Sequence, residues 1–303
     1  MKLAVQLNSF INPEGTAGIA NQITERAVWA EAAGFKTFFM MDHFFQLEGI
    51  GPFEDPMLDV FSVLSYVAGK TSTIKLGQMV LGVTYRHPAI TVKQQTTLDV
   101  LSGGRSYFGI GAAWFEREHY ALGVPFPSLK ERFERLEEQL QIAKLLWSDE
   151  TGAYEGKHFQ LAESVHSPQP LSRPHPPILI GGSGEKKTLR MVAQYGDACN
   201  ITTAKGIETL QHKLNVLQEH CSNLGRDYAE IEKTSNGGFR PLSRSGADGT
   251  MHPDEARTFL EQLAASGIDT ALMGILAVDS PESREIVENE LIPFADALPV
   301  AGR

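Results

Sequence analysis

The chain has 303 residues, 42% of them hydrophobic, enough to bury one barrel-sized core or two smaller ones. Acidic residues outnumber basic ones, 37 to 27, and the two signs are interspersed, which argues against a nucleic-acid surface yet leaves room for a local basic pocket holding an anionic cofactor. Cys199 and Cys221 form no CxxC pair, so the sequence speaks against a disulfide framework or a zinc cluster, and a reducing cytoplasm is the expected setting.

The first apolar run, Leu3–Leu7, passes straight into Asn8 and Ser9 and is too short for a signal peptide or a membrane span. Strand-type runs then recur at Thr37–Met41, Lys75–Val83, Tyr107–Ile110, Pro177–Ile180, Ala198–Ile201, Ile231–Thr234 and Thr270–Ile275, making eight in all. Helical periods fall between them. Ile19, Ile23, Ala27, Ala30 and Gly34 repeat at spacings of three and four, as do Leu129, Phe133, Leu136, Leu140, Ala143 and Trp147. Further helices are predicted over Leu58–Gly69, Pro88–Leu101, Lys187–Gln194, Gly206–Asn223, Pro253–Ala265 and Ser280–Ala295, several opening on Pro or a small polar residue. Eight βα units in this length predict an α/β fold, a (β/α)8 TIM barrel occupying 1–303 as a single domain. Two intervals break the rhythm. Residues 148–177, between the fourth helix and fifth strand, carry Pro168, Pro170, Pro174, Pro176 and Pro177; they read equally as an insertion acting as a lid and as a packing excursion. Residues 235–252 carry Gly237, Gly238, Gly246 and Gly249 and are expected to be flexible near the site.

In a barrel, the residues just after each strand form the active face. The second strand ends in Asp42-His43, where an aspartate beside a histidine could orient it as a general base. The third ends in Leu81-Gly82-Val83-Thr84, and Gly82 is consistent with a bulge, a close ligand approach or plain packing. Arg86 and Lys93 beyond it fit either an acidic cofactor tail or a solvated surface. The fourth strand carries Gly109-Ile-Gly111, but Trp114 stands where a dinucleotide fingerprint needs its third glycine. The fifth strand runs into Gly181-Gly182-Ser183-Gly184 and then a helix, which reads as a phosphate cradle of backbone amides outside the P-loop pattern, with a simple tight βα turn the competing account. The histidines show no metal-ligand spacing, so no metal is expected.

Together, Asp42-His43, the 81–84 segment with His87-Pro88, the stretch from Asp99 to Trp114 and the 180–184 loop resemble the bacterial-luciferase-like family of flavin and deazaflavin enzymes. Phe126-Pro127, Arg132-Phe133, Leu136-Glu137-Glu138 and Pro176 to Gly182 look most like its coenzyme F420-dependent branch, with FMN the alternative cofactor. The resemblance implies a barrel with an insertion, a homodimer, a small-molecule substrate and neither a nucleic-acid nor a membrane partner. It implies a non-prolyl cis peptide after the third strand, expected at Gly82–Val83, and cofactor contacts from Asp42, His43, Leu81, Gly82, Val83, Thr84, Gly111, Ala112, Gly181, Gly182, Ser183 and Gly184. It makes His43 the base beside the reactive ring. Related F420 dehydrogenases carry a glutamate where this chain has Ala112, so the resemblance points to an F420-dependent oxidoreductase other than a sugar-phosphate dehydrogenase. An FMN-dependent monooxygenase and a non-catalytic flavin or deazaflavin carrier are the competing readings. Glu116 and Glu118 could replace the missing acid, but charged helix residues usually face solvent, and Glu118 is expected to be structural.

Overall fold

The computed structural model describes residues 1–302. Its strands are β1 (Lys2–Leu7), β2 (Thr37–Met40), β3 (Lys75–Gln78), the two-residue β4 (Leu81–Gly82), β5 (Ser106–Gly111), a small hairpin of β6 (Tyr154–Glu155) and β7 (Gln160–Leu161), then β8 (Ile178–Gly181), β9 (Ala198–Asn200), β10 (Glu232–Asn236) and β11 (Thr270–Gly274). Parallel pairing runs β3-β2-β1-β11-β10-β9-β8-β5, and β3 pairs with β5 to close the ring. The result is a closed eight-stranded parallel barrel, a (β/α)8 TIM barrel.

Helices cover the outside: α1 (Ile19–Ala33), α2 (Val60–Ala68), α3 (Pro88–Leu101), α4 (Glu116–Leu122), α5 (Leu129–Leu146), α6 (Thr188–Tyr195), α7 (Ile207–Leu224), α8 (Pro253–Ala265), the short α9 (Ile275–Val278), and α10 (Pro281–Ile286) joined to α11 (Ile292–Ala297) through a π turn. Their limits follow local chemistry. Pro88 and Pro253 start α3 and α8, where a missing N–H costs nothing, and Gly34 at φ 103° ends α1 in the left-handed conformation that side chains resist. Asp59 caps α2 by accepting the Ser62 N–H at 2.9 Å.

Strand alternation divides the core in two. Ala4, Phe39, Tyr107, Leu179, Ala198 and Leu272 fill the barrel interior, while Val5, Phe38, Phe108, Ile178 and Ile180 pack outward against the helices. Gly109 belongs to the interior: a Cβ there would lie 1.8 Å from the Gln78 carbonyl oxygen, so this glycine serves packing and not ligand space.

Between β3 and β4 the chain leaves the ladder, and the non-prolyl cis bond lies there, at Met79–Val80 and not at Gly82–Val83. The reason is pairing: Leu81 and Gly82 are in register with Ile110 and Gly111, and Val83 donates to the Gly111 carbonyl at 3.1 Å, which holds that segment in regular extended form. The excursion over 148–177 contains the β6–β7 hairpin. Glu138 of α5 accepts the amides of Lys157, His158 and Phe159, and Asp99 of α3 accepts the Ser172 N–H and hydroxyl, so the segment is fastened to the barrel's flank.

Candidate active site

At the carboxyl end of the strands lies a cavity of 370 Å³, lined by residues from the ends of β2 to β5 and β8 to β10 and from α5. Its floor is Val80. A Cβ on Gly181 would sit 2.7 Å from one Val80 methyl and one on Gly111 would sit 3.0 Å from it, so these glycines let the strand ends close around that side chain. Asp42, His43, Leu81, Gly82, Gly111, Ala112, Gly181, Gly182 and Ser183 all line the cavity.

Val83, Thr84 and Gly184 are not on its wall. Val83 is buried in the outer core, because successive strand residues face opposite ways. Thr84 instead lies 2.6 Å from His119 Nε2, whose ring Nδ1 lies 2.8 Å from the Phe115 carbonyl. That carbonyl only accepts, so Nδ1 carries the proton and the Thr84 hydroxyl donates to Nε2. Gly184 packs on Thr188, which does line the cavity.

Asp42 and His43, just past the end of β2, both line the cavity but go to different partners. Asp42, 3% exposed, takes a bidentate pair from Arg86 at 2.7 and 2.8 Å and the Gly82 N–H at 3.1 Å, and so braces β4 instead of orienting the histidine. Arg86 also reaches Asp59 at 3.2 Å, and Lys93 donates to the Ser167 carbonyl at 2.8 Å. Both cations are engaged within the protein, and neither lines the cavity.

The partner of His43 is Glu118. Its expected solvent position is overturned: α4 lies across the barrel mouth with Phe115, Glu118 and His119 on one face, and Glu118 is 0% exposed. One carboxylate oxygen accepts the Phe44 and Phe45 amides at 2.6 and 2.9 Å. The other lies 3.2 Å from His43 Nδ1 and accepts the Tyr85 hydroxyl. Burial alone would raise the Glu118 pKa, but the hydrogen bonds from His43, Tyr85 and the Phe45 amide hold it below the ordinary carboxylate range. Burial and the adjacent Glu118 push the Tyr85 phenol upward, so it stays a donor. An ionised Glu118 accepts only, so His43 Nδ1 carries a proton, and Nε2, with no hydrogen bond among the described residues, is the ring nitrogen left for proton exchange.

Opposite this pair, Trp114 is 63% exposed with its ring centroid 5.7 Å from that of His43, aimed there by Ala113 at φ 57°. At the other end, β8 closes on Gly181 and α6 begins only at Thr188, so Gly182 to Gly184 lie in a loop ahead of the helix instead of its first turn. Gly182 donates to the Asn200 carbonyl at 3.3 Å, whereas the Ser183 and Gly184 amides have no hydrogen bond among the described residues. The buried Oδ1 of Asn236, also on the wall, is likewise without a partner. Sequence reading missed Tyr85, Asn200, Thr202 and Asn236, and it named Glu118 as a possible acid but expected it to be structural; the signal for its burial was the Phe115, Glu118, His119 spacing ahead of Gly123, which marks a helix with a buried face. Among the described residues no cluster of His, Cys, Asp or Glu could hold a metal, and no helix is long and apolar enough to cross a membrane.

A family model described as luciferase-like monooxygenase matches residues 1–241. An F420-dependent glucose-6-phosphate dehydrogenase of Kineococcus radiotolerans is 33% identical over 222 residues, which cover 70% of this chain and 62% of that protein. The match thus spans less than two thirds of that relative's length. Among solved structures, a monooxygenase from Streptomyces bottropensis superposes with a TM-score of 0.80 at 20% identity, covering 97% of this chain and 99% of the other. An F420-dependent secondary alcohol dehydrogenase, in complex with an F420-acetone adduct, gives 0.81 at 17% identity with coverage of 97% and 99%. At these identities the two structures support the fold alone.

Proposed function

Because the chain belongs to the luciferase-like monooxygenase family, we propose that it is an oxidoreductase transferring a hydride between coenzyme F420 and a small organic substrate. The observation that carries this reading is the buried Glu118, which fixes His43 with a free Nε2 on the cavity wall. F420-dependent dehydrogenases among the relatives support the cofactor.

The residues present suit such a cofactor. Val80 offers an apolar shelf for a flat ring, Gly111 lets that side chain pack close against the strand ends, the small Ala112 lines the wall beside it, and the unpaired Ser183 and Gly184 amides suit a phosphate. The orphaned Asn236 oxygen asks for a donor from a ring N–H or a side-chain hydroxyl of the cofactor. When bound, F420 supplies the hydride donor or acceptor. His43 Nε2 takes the substrate's hydroxyl proton in the oxidising direction and returns it in the reducing one. Glu118 stabilises the imidazolium formed and keeps the ring oriented, filling the electrostatic role that the absent acid at Ala112 leaves open. Tyr85 and the two backbone amides hold that carboxylate in place.

The direct test is His43→Ala. Turnover should fall by about 100-fold or more while F420 affinity, measured by fluorescence titration, changes little. Wild-type turnover in that variant would remove His43 from the mechanism.

A further inference from the structure

Resting on the F420 reading above, we infer that the substrate is an uncharged, largely apolar molecule, and that phosphate esters are rejected. The cavity wall holds no Lys and no Arg. Its one carboxylate is Asp42, locked in its bidentate pair with Arg86, and its one imidazole is His43, held by Glu118. The other polar groups on the wall, among them Ser183, Asn200, Thr202 and Asn236, are neutral.

A desolvated phosphate in such a place is paired best by a cation. The Ser183 amide, with that of Gly184 beside it, is assigned above to the cofactor phosphate; the amides of Ala112, Ala113 and Trp114 also have no hydrogen bond among the described residues, but they carry no net charge. A second phosphate, on a substrate, would be desolvated with no cation to pair it. Lys186, Lys187 and Arg190 line a second recess that shares Phe133 with the cavity, and Lys187 is held over that ring with its ammonium 5.2 Å from the centroid. The surface that remains on the open side is Trp114, Leu129 and Phe133, an apolar rim for an apolar body whose single polar atom meets His43 Nε2. The preference therefore opposes that in the name of the glucose-6-phosphate dehydrogenase to which the chain is 33% identical.

A matched pair isolates the charge. With the full chain first saturated with F420, benzyl alcohol and benzyl phosphate are titrated while the tryptophan emission lost in Trp114→Phe is followed. The alcohol should bind at least about tenfold more tightly than its ester, and Leu129→Arg, which places a cation on the rim, should narrow the gap. A phosphate ester that binds as tightly as its alcohol, or an alcohol that does not bind, overturns the inference. Failure to saturate with F420 counts instead against the proposed cofactor.

Discussion

Glu118→Gln removes one charge from the centre of the site without changing its shape. In the wild type, four donors converge on this carboxylate: the Phe44 and Phe45 amides, His43 Nδ1 and the Tyr85 hydroxyl. A glutamine offers one acceptor oxygen. If it keeps the two amides, its NH2 must face Tyr85, which can turn and accept, and His43 Nδ1, which can accept only after the ring proton moves to Nε2. The variant thus closes off the base at the cavity. Losing two bonds to a charged acceptor, each worth about 1.5–3 kcal/mol, is partly offset by these rearrangements, so a stability loss of about 1–3 kcal/mol is expected. Turnover should drop by about 100- to 10,000-fold, the range a positioned base contributes. Steady-state F420 kinetics, denaturant unfolding and 15N NMR of the histidine tautomer read the three effects. A variant with wild-type turnover, or one that keeps Nδ1 protonated while losing activity, would refute the reasoning.

Arg86→Met strands the buried Asp42 carboxylate and should cost about 3–5 kcal/mol in urea unfolding, with Asp42→Asn in the same background recovering part of it. Gly109→Ala drives a Cβ into the Gln78 carbonyl and should cost about 3 kcal/mol or more, whereas Gly123→Ala, at φ 69° with open space around it, should cost about 1–2 kcal/mol by thermal melts. His166 is buried against the Thr96 hydroxyl, and burial, with nearby Lys93, lowers its pKa to about 4. The unfolded chain therefore binds a proton that the native one refuses between about pH 6.5 and 4, so stability falls with acidification across that window, by about 3 kcal/mol at most from this group. Unfolding free energies of His166→Gln should lose that part of the pH slope.

Most barrel strands were legible because they are short apolar runs bounded by glycine, proline or small polar residues, although β10 reads Glu-Lys-Thr-Ser-Asn and only its lead-in Ile231 is apolar. The site was legible only where chemistry and chain position coincide, as at Gly181 to Ser183. Asp42 and His43 are neighbours in sequence, yet a strand end turns them to different partners. The pairing that matters joins His43 to a glutamate 75 positions away, and no local pattern announces such a contact. Burial of Glu118 runs against the usual fate of charged helix residues because α4 caps the barrel mouth, where a carboxylate finds two backbone amides to satisfy it. Arg86 is absent from the cavity wall for the converse reason: Asp42 and Asp59 hold its guanidinium.

The cofactor decides between hydride transfer and oxygen chemistry on this fold. Titration of the purified chain with coenzyme F420 and, separately, with FMN, following the fluorescence of each ring, addresses it directly. The account predicts saturable binding of F420 and none of FMN at matched concentrations; saturation by FMN without binding of F420 would contradict it.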